Sequence, residues 1–394
     1  MRPLFIVGIL LVSTAQWALS AIVTTTTDSG PGSLRAAIAS ATEGETITFS
    51  VTGAVTLTSG QLSINRGIHI VGPGAEVLAV QRDAAARPFR IFDIATGRPT
   101  ISGITIRNGA CDPSDDSGAG IQNRGNLSVF NCIFESNVAT DRGGAIYNGN
   151  MASLYVSNCV FESNSSTGEY GEGGGLYIFG NATILNSTFV NNGVHDRGGG
   201  LQVDMFGAAV VNGCTFVGNS AIGRQGQGGG IYNFGTLAVT NCTLSGNIAN
   251  DSGGALHNDG LALALRIDSC TVVSNTAPEG GGLYLNGFDS SPRPHHLHNS
   301  IVSGNHGDIQ SRISFVSDGF NLIGSSSGTL PLVLRATDHI NISPADLHLG
   351  ELRNYGGLTA THALLPGSLA FESGDDAHPP STDQRGVQRP LRAL

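Results

Sequence analysis

Residues 131–148 read NCIFESNVATDRGGAIYN, and the chain returns to this phrase repeatedly. The first half recurs as NCVFESN (158–164), NSTFVNN (186–192), GCTFVGN (213–219), NCTLSGN (241–247), SCTVVSN (269–275) and NSIVSGN (299–305). The second half recurs as GGGLYI, GGGLQV, GGGIYN, GGALHN and GGGLYL. The asparagines that close the first half, Asn137, Asn164, Asn192, Asn219, Asn247, Asn275 and Asn305, are spaced by 27 to 30 residues, and Asn108 precedes them by 29. A period in this range marks a solenoid. A finer step of 55 relates Ile146, Leu201 and Leu256, so coils come in pairs.

Each repeat holds three short runs in which apolar and polar residues alternate, such as Leu127/Val129, Cys132/Phe134 and Ala145/Ile146. Alternation with a period of two is a strand with one buried face. Asn131, Asn137 and residues 149–150 separate the runs, and Asn and Gly tolerate the left-handed backbone that a sharp bend requires. Three strands and three bends per ~28 residues close one coil, and the next coil stacks ~4.8 Å away. The fold expected is all-β: a right-handed parallel β-helix, a single-stranded solenoid with three short strands per coil. Bend asparagines stacked on successive coils would pair their amides along the axis.

Residues 1–20 carry Arg2, an apolar core at 4–12 and Ala18-Leu19-Ser20, the pattern of a cleaved signal peptide. That core is too short to span a bilayer as a helix, so the expectation is a secreted or cell-surface protein without a membrane span. Residues 21–60 read as an N-terminal cap, with Ser33 opening a short helix through Ala41. The coils run over 61–305, and 306–394 read as distal coils, a C-terminal cap and a loose tail. All 20 basic residues are arginine and the net charge is −10. Lysine chemistry is thereby excluded, and an acidic chain without a basic cluster is a poor partner for nucleic acid.

The segment VTTTTDSGPGSLRAAIASATEGETITF (23–49) resembles the opening of bacterial surface β-helix proteins with a Ser-Leu-Arg-x-Ala-Ile helix. LRNYGGLTATHALLPGSLAFESGD followed by TDQRGV (352–387) resembles the closing segment of the choice-of-anchor Q family. The middle is similar to the repeats of polymorphic outer membrane proteins, on a pectate-lyase-like fold. The resemblance implies an exported bacterial protein, with no general catalytic activity attached to the family. In β-helix polysaccharide lyases, the third strand and the loop before it carry acids that bind calcium and an arginine base.

The matching positions here are Asp116, Asp141, Asp196 and Asp251, each five residues before the first apolar residue of the third strand, with Arg142 and Arg197 beside two of them. These six are the candidate catalytic residues, and Asp116 with Asp141 the candidate calcium ligands. Asp141, Asp196 and Asp251 lie on alternate coils, ~9.6 Å apart, too far to share one ion with ligands at ~2.3–2.6 Å. The simpler expectation is that each aspartate bonds its glycine-rich turn. Cys132, Cys159, Cys214, Cys242 and Cys270 share one inward position with Ser187 and Ser300, which reads as a core stack of thiols; Cys111, in a loop, reads as exposed. His295, His296 and His298 form the one histidine cluster, without a third converging ligand type.

An enzyme breaks its repeat at one point with unique polar residues, whereas here the polar residues repeat with the coils. The reading is therefore a non-catalytic exported scaffold or adhesin, with polysaccharides or cell-surface glycans as partners and no cofactor assigned beyond calcium as the candidate ion. The alternative is a polysaccharide lyase or glycoside hydrolase acting along one flank.

Overall fold

The computed structural model describes residues 20–111, 116–287, 295–313, 315–329, 332–375, 377 and 380–389. The expected signal peptide lies outside the described residues apart from Ser20. The chain winds into a solenoid whose strands pair in parallel with those of the coils before and after. One coil runs through Asn126–Phe130, Ile133–Glu135, Val138–Ala139 and Ile146–Asn148 before re-entering at Ser153–Ser157. Stacking the coils makes three long sheets among the described residues. Sheet 1 contains Asn126–Phe130 and has 13 strands; sheet 2, with Ile133–Glu135, and sheet 3, with Ile146–Asn148, have 11 each. A fourth, five-stranded row of two-residue strands starts at Val138–Ala139. The alternation underlying three strands is too short to register in that row.

Two left-handed residues flank the sheet 2 strand of each coil. The first joins sheets 1 and 2 at Asn131, Asn158, Asn186, Gly213, Asn241, Ser269 and Asn299. The second is Ser136, Ser163, Asn191, Gly218, Gly246, Ser274 or Gly304, one residue before the repeat asparagine. Asn137 is thus not the bend itself. The bend at Ser136 swings its side chain inward, where Asn137 is fully buried. Asn108 falls in register with the bend residues (φ 58°), and Gly109 takes the ladder place, its N–H donating to Asn137 Oδ1 at 3.0 Å.

The interior is a set of rows, each filled by one residue type. Phe134, Phe161, Phe189 and Phe216 stack at 4.8, 4.7 and 4.5 Å between centroids with planes within 6°. The cysteine row uses sulfur as an acceptor: Cys132 N–H points at Cys159 Sγ (3.5 Å), and Cys214 N–H at Cys242 Sγ (3.3 Å). Ser187 and Ser300 do the same with oxygen, accepting from Cys159 N–H and Cys270 N–H at 3.1 Å. Cys111, read from sequence as exposed, is buried in a small cluster with Ala119 and Ala139, because Ala110 extends the short-strand row by a parallel bridge to Val138 and Cys111 N–H donates to the Val138 carbonyl.

Each end combines coil strands with a covering segment. The stretch read as a cap already contributes strands Ser20–Val23, Thr46–Phe49 and Gly53–Leu57 to the sheets. The capping element proper is the helix Leu34–Ser40, with Ser33 Oγ accepting from Ala36 N–H and Leu34, Ala37 and Ile38 buried. Arg35 pins it, contacting Asp28 at 2.7 Å and the carbonyl of Gln61 at 2.7 Å.

At the other end, coils continue to Leu332–Val333. The chain then folds back as a strap along the outer face of sheet 2, where a loose tail was expected. Thr359 Oγ1 donates to the Gly213 carbonyl (2.8 Å), Gln384 Nε2 donates to Thr215 Oγ1 (2.9 Å), and Asn241 Nδ2 donates to the Thr382 carbonyl (2.9 Å). The outward residues beneath, Thr215, Thr243 and Ser245, are small and buried. These contacts span more than 100 residues of sequence, so no local pattern announces them.

Candidate functional site

The outer flank of sheet 3 gathers every aspartate and arginine singled out from sequence. Its strands are three residues long, with the first and third side chains inward and the middle one outward. The outward row runs Asp93, Gln122, Tyr147, Tyr177, Gln202, Tyr232, His257 and Tyr284 through an unbroken parallel register. Before each strand from Ile121–Asn123 to Leu283–Leu285 a glycine turns left-handed, such as Gly143 at φ +65°. The next must be glycine because a Cβ on Gly144 would lie 2.3 Å from the Gly174 carbonyl oxygen of the following coil. These two demands produce the recurring Gly-Gly.

The residue before that turn forms a second row: Arg142, Glu172, Arg197, Gln227, Ser252 and Glu279, linked by parallel backbone bridges. Glu172 sits between two arginines, with Oε2 3.2 Å from Arg142 Nε and Oε1 3.6 Å from Arg197 Nη1. Each guanidinium also covers the outward tyrosine of the next coil, Arg142 over Tyr177 at 5.3 Å and Arg197 over Tyr232 at 5.2 Å. Arg312 repeats the arrangement on Tyr284 at 5.5 Å while meeting Glu279 at 3.0 Å. The tyrosine hydroxyls donate to carboxylates, Tyr177 to Asp204 and Tyr232 to Asp259 (2.6 Å). Glu172 and His257 belong to this network and were not singled out from sequence. Their signals were the residue just before the glycine string for Glu172 and the middle strand position of GGALHN for His257, which a reading for architecture passes over.

The candidate aspartates take side-chain partners rather than the glycine turns expected for them. Asp141 meets Arg142 at 3.4 Å, and Asp196 Oδ2 lies 3.6 Å from Arg197 Nε. Asp251 accepts from Gln227 Nε2 (2.9 Å) and Ser252 Oγ (3.2 Å), and Asp116 accepts from Ser117 Oγ (3.3 Å). Burial pushes the Asp141 carboxyl up, with Asp116 and Glu172 adding to the rise against Arg142. Asp196 is raised by burial and by Glu172 in the same way. Burial also lifts the Tyr284 phenol to about 12, helped by Glu279. Asp116 and Asp141 are neighbours on adjacent coils, but among the described residues no three His, Cys, Asp or Glu side chains converge.

His257 is sandwiched 4.9 Å from Tyr232 on one side and 4.9 Å from Tyr284 on the other. Its Nδ1 pairs with Ser252 Oγ at 2.9 Å, and burial lowers its pKa to about 4. Asp251, Ser252 and His257 therefore form a chain with serine in the middle. Activating a serine nucleophile needs the histidine in the middle, oriented by the acid, so this order does not make a triad. The histidine cluster is divided: His296 Nδ1 meets Asp318 (2.9 Å), while His298 bridges Asp268 (3.4 Å) and Asp375 of the strap (3.2 Å). His296 and His298 do share a face, but each meets different carboxylates.

Residues 94–288 match the family model described as right handed beta helix region. The fold is a right-handed parallel β-helix. No curated protein shows significant sequence similarity to the chain. Among solved structures, this β-helix is similar to an alginate lyase from Paenibacillus sp. str. FPU-7, at 13% identity over 82% of this chain and 99% of the other, with a TM-score of 0.46. It is also similar to pectate lyase Pel9A, at 13% identity, 94% and 87% coverage and a TM-score of 0.47. A third is the Azotobacter vinelandii mannuronan C-5 epimerase AlgE6 A-module, at 14% identity, 82% and 96% coverage and a TM-score of 0.42. Among the described residues, no helix of the β-helix chain is long and apolar enough to cross a membrane.

Proposed function

We propose that this β-helix is a non-catalytic, exported scaffold or adhesin whose sheet 3 flank binds glycans. The observation that carries this reading is the position of Glu172, with one carboxylate oxygen on Arg142 and the other on Arg197. Its neighbours are paired in the same manner, so the charges stabilise one another along the axis instead of meeting at one reacting atom. Cleavage needs a preorganised site where charge develops. A ladder of part-exposed arginines backed by more deeply buried carboxylates offers repeated hydrogen-bonding positions of modest strength, which gain affinity through multivalency.

The test is incubation of the purified protein with acidic and neutral polysaccharides, with and without calcium, alongside binding to the same glycans on a surface. The expected result is retention on at least one glycan without an ultraviolet-absorbing unsaturated product or new reducing ends. Saturable release of oligosaccharide that disappears in Arg142→Ala or Asp141→Asn would replace this reading with a lyase or hydrolase. Absence of binding to every glycan class would remove the glycan part.

A further inference from the structure

The three long flanks are not equally dressed. The strap covers sheet 2 from Gly213 to Asn299, and the ion–aromatic ladder covers sheet 3. Sheet 1 is bare over its five central coils. Their strands read NLSVF, SLYVS, NATIL, AAVVN and TLAVT, without one charged residue in a chain of net charge −10. Val210, which lines a shallow trough of about 440 Å³ on this face, is 50% exposed. The turns bordering this face add an apolar ridge, with Met151 89%, Phe206 68%, Leu261 53% and Leu263 55% exposed. A contiguous uncharged plate with an apolar rim marks an interaction surface.

We propose that this face is the contact of a homodimer, with the two-fold axis passing through Val210 parallel to the strands. The register supplies the argument. Tyr155, Thr183, Val210, Ala238 and Arg266 are successive outward neighbours, so Val210 is midway between Tyr155 and Arg266. An isologous contact sets each residue against the one equally far on the other side of the axis. About this axis, Arg266 of one copy meets Tyr155 of its partner twice, and Thr183 meets Ala238.

Tyr155 already packs with Phe130 at 5.5 Å, presenting an aromatic pair to a cation. Arg266 holds Asp268 at 2.6 Å yet keeps half its side-chain surface exposed. The other face-to-face arrangement, with the axis along the solenoid, would set Arg266 against Arg266 and is disfavoured by like-charge repulsion.

The size is adequate. Five coils at ~4.8 Å and five-residue strands at ~3.3 Å per residue make a plate of ~24 by ~17 Å. That is roughly 400 Å² per copy before the ridge is added, and the ridge enlarges it toward the ~800 Å² per partner of a standard interface. Apart from the Arg266–Asp268 pair at its edge, the plate lets two acidic chains meet without opposing like charges.

Sedimentation equilibrium of the purified chain tests this, with circular dichroism and a melting curve for each variant as a check on folding. The native chain is expected to dimerise, and Val210→Arg, which places two guanidiniums together on the axis, to raise the dimer dissociation constant by about 100-fold or more. Tyr155→Arg and Arg266→Tyr should each weaken the dimer by about 10-fold, and the double exchange should restore it, because each pair again holds one cation and one ring. A native chain that stays monomeric at 100 µM-scale concentrations, of order those that populate a micromolar dimer, would overturn the proposal. So would a dimer indifferent to Val210→Arg, or a monomer in which that substitution abolishes binding to a neutral glycan, which would assign the face to a ligand.

Discussion

Asn219 and Asn247 are joined along the solenoid axis through one oxygen: Asn247 Oδ1 accepts from Asn219 N–H at 3.1 Å and from Asn219 Nδ2 at 2.9 Å. Asn219 Nδ2 also donates to the Phe189 carbonyl of the coil before (2.9 Å). The pattern repeats from Asn137 to Asn305, where Asp308 Oδ1 receives the last donors at 2.8 and 2.9 Å. Each such amide thus satisfies an N–H and a carbonyl of the coil before and donates to the side-chain oxygen of the coil after, as Asn219 does.

Asn219→Ala therefore removes the partner of Asn192 N–H, Asn192 Nδ2 and the Phe189 carbonyl on the coil before, and should destabilise the chain by about 1–3 kcal/mol. The exposed Gln225→Ala should fall within about 0.5 kcal/mol. Chemical denaturation of both variants checks this, and equal effects would remove the ladder from the account of stability.

The cysteine row should behave as acceptors rather than reactive thiols. Burial pushes the Cys159, Cys242 and Cys270 thiols well above their ordinary range, so the nucleophilic thiolate is scarce. Modification by a thiol reagent is expected to be slow in the native protein and rapid after denaturation. Cys242→Ser, imitating Ser187 and Ser300, should preserve the bond from Cys214 N–H. Cys242→Val should be worse than serine by about 1 kcal/mol or more, since that buried donor loses its acceptor.

His257 makes stability pH-dependent in a definite direction. Its folded pKa, about 4, is below its ordinary 6.5, so the unfolded chain takes up the proton first. The stabilisation from holding it neutral is complete above pH 6.5 and is lost as pH falls toward 4. For this fully buried ring it amounts to the order of 3 kcal/mol. Urea midpoints between pH 7 and pH 4 should drop less steeply in His257→Gln than in the native chain, and parallel curves would show that other groups dominate.

Gln384 fastens the strap to the solenoid. Its Nε2 donates to Thr215 Oγ1 and Thr359 Oγ1 (2.8 Å), and its Oε1 accepts from Thr243 Oγ1 (2.7 Å). Gln384→Ala should loosen residues 349–389 without unwinding the coils. Trypsin is expected to cut at Arg353 and Arg385 earlier than in the native chain, with circular dichroism unchanged. Unaltered cleavage kinetics would show that the strap is held by its apolar contacts and His298–Asp375 instead.

What the sequence by itself determined was everything that repeats. Alternating residues, the Asn steps and the Gly-Gly strings specify strand, bend and period, because each coil must satisfy the same backbone and core demands as its neighbours. The inward cysteines and the position of all six charged candidates on one flank follow from that period alone.

Only the tertiary structure decided what crosses coils at non-repeating positions. Whether Asp141 and Asp196 would bond their turns or the arginines depended on where Glu172 stood one coil away. The burial of His257 depended on two tyrosines, each about 25 residues distant along a coil of this length. The strap was invisible for the same reason: Gln384 and Thr359 meet Thr215 and Gly213 across the outside of the solenoid. The sequence records the small residues beneath but not the segment that lies on them, because that pairing is set by where the end of the chain folds back and not by any local periodicity.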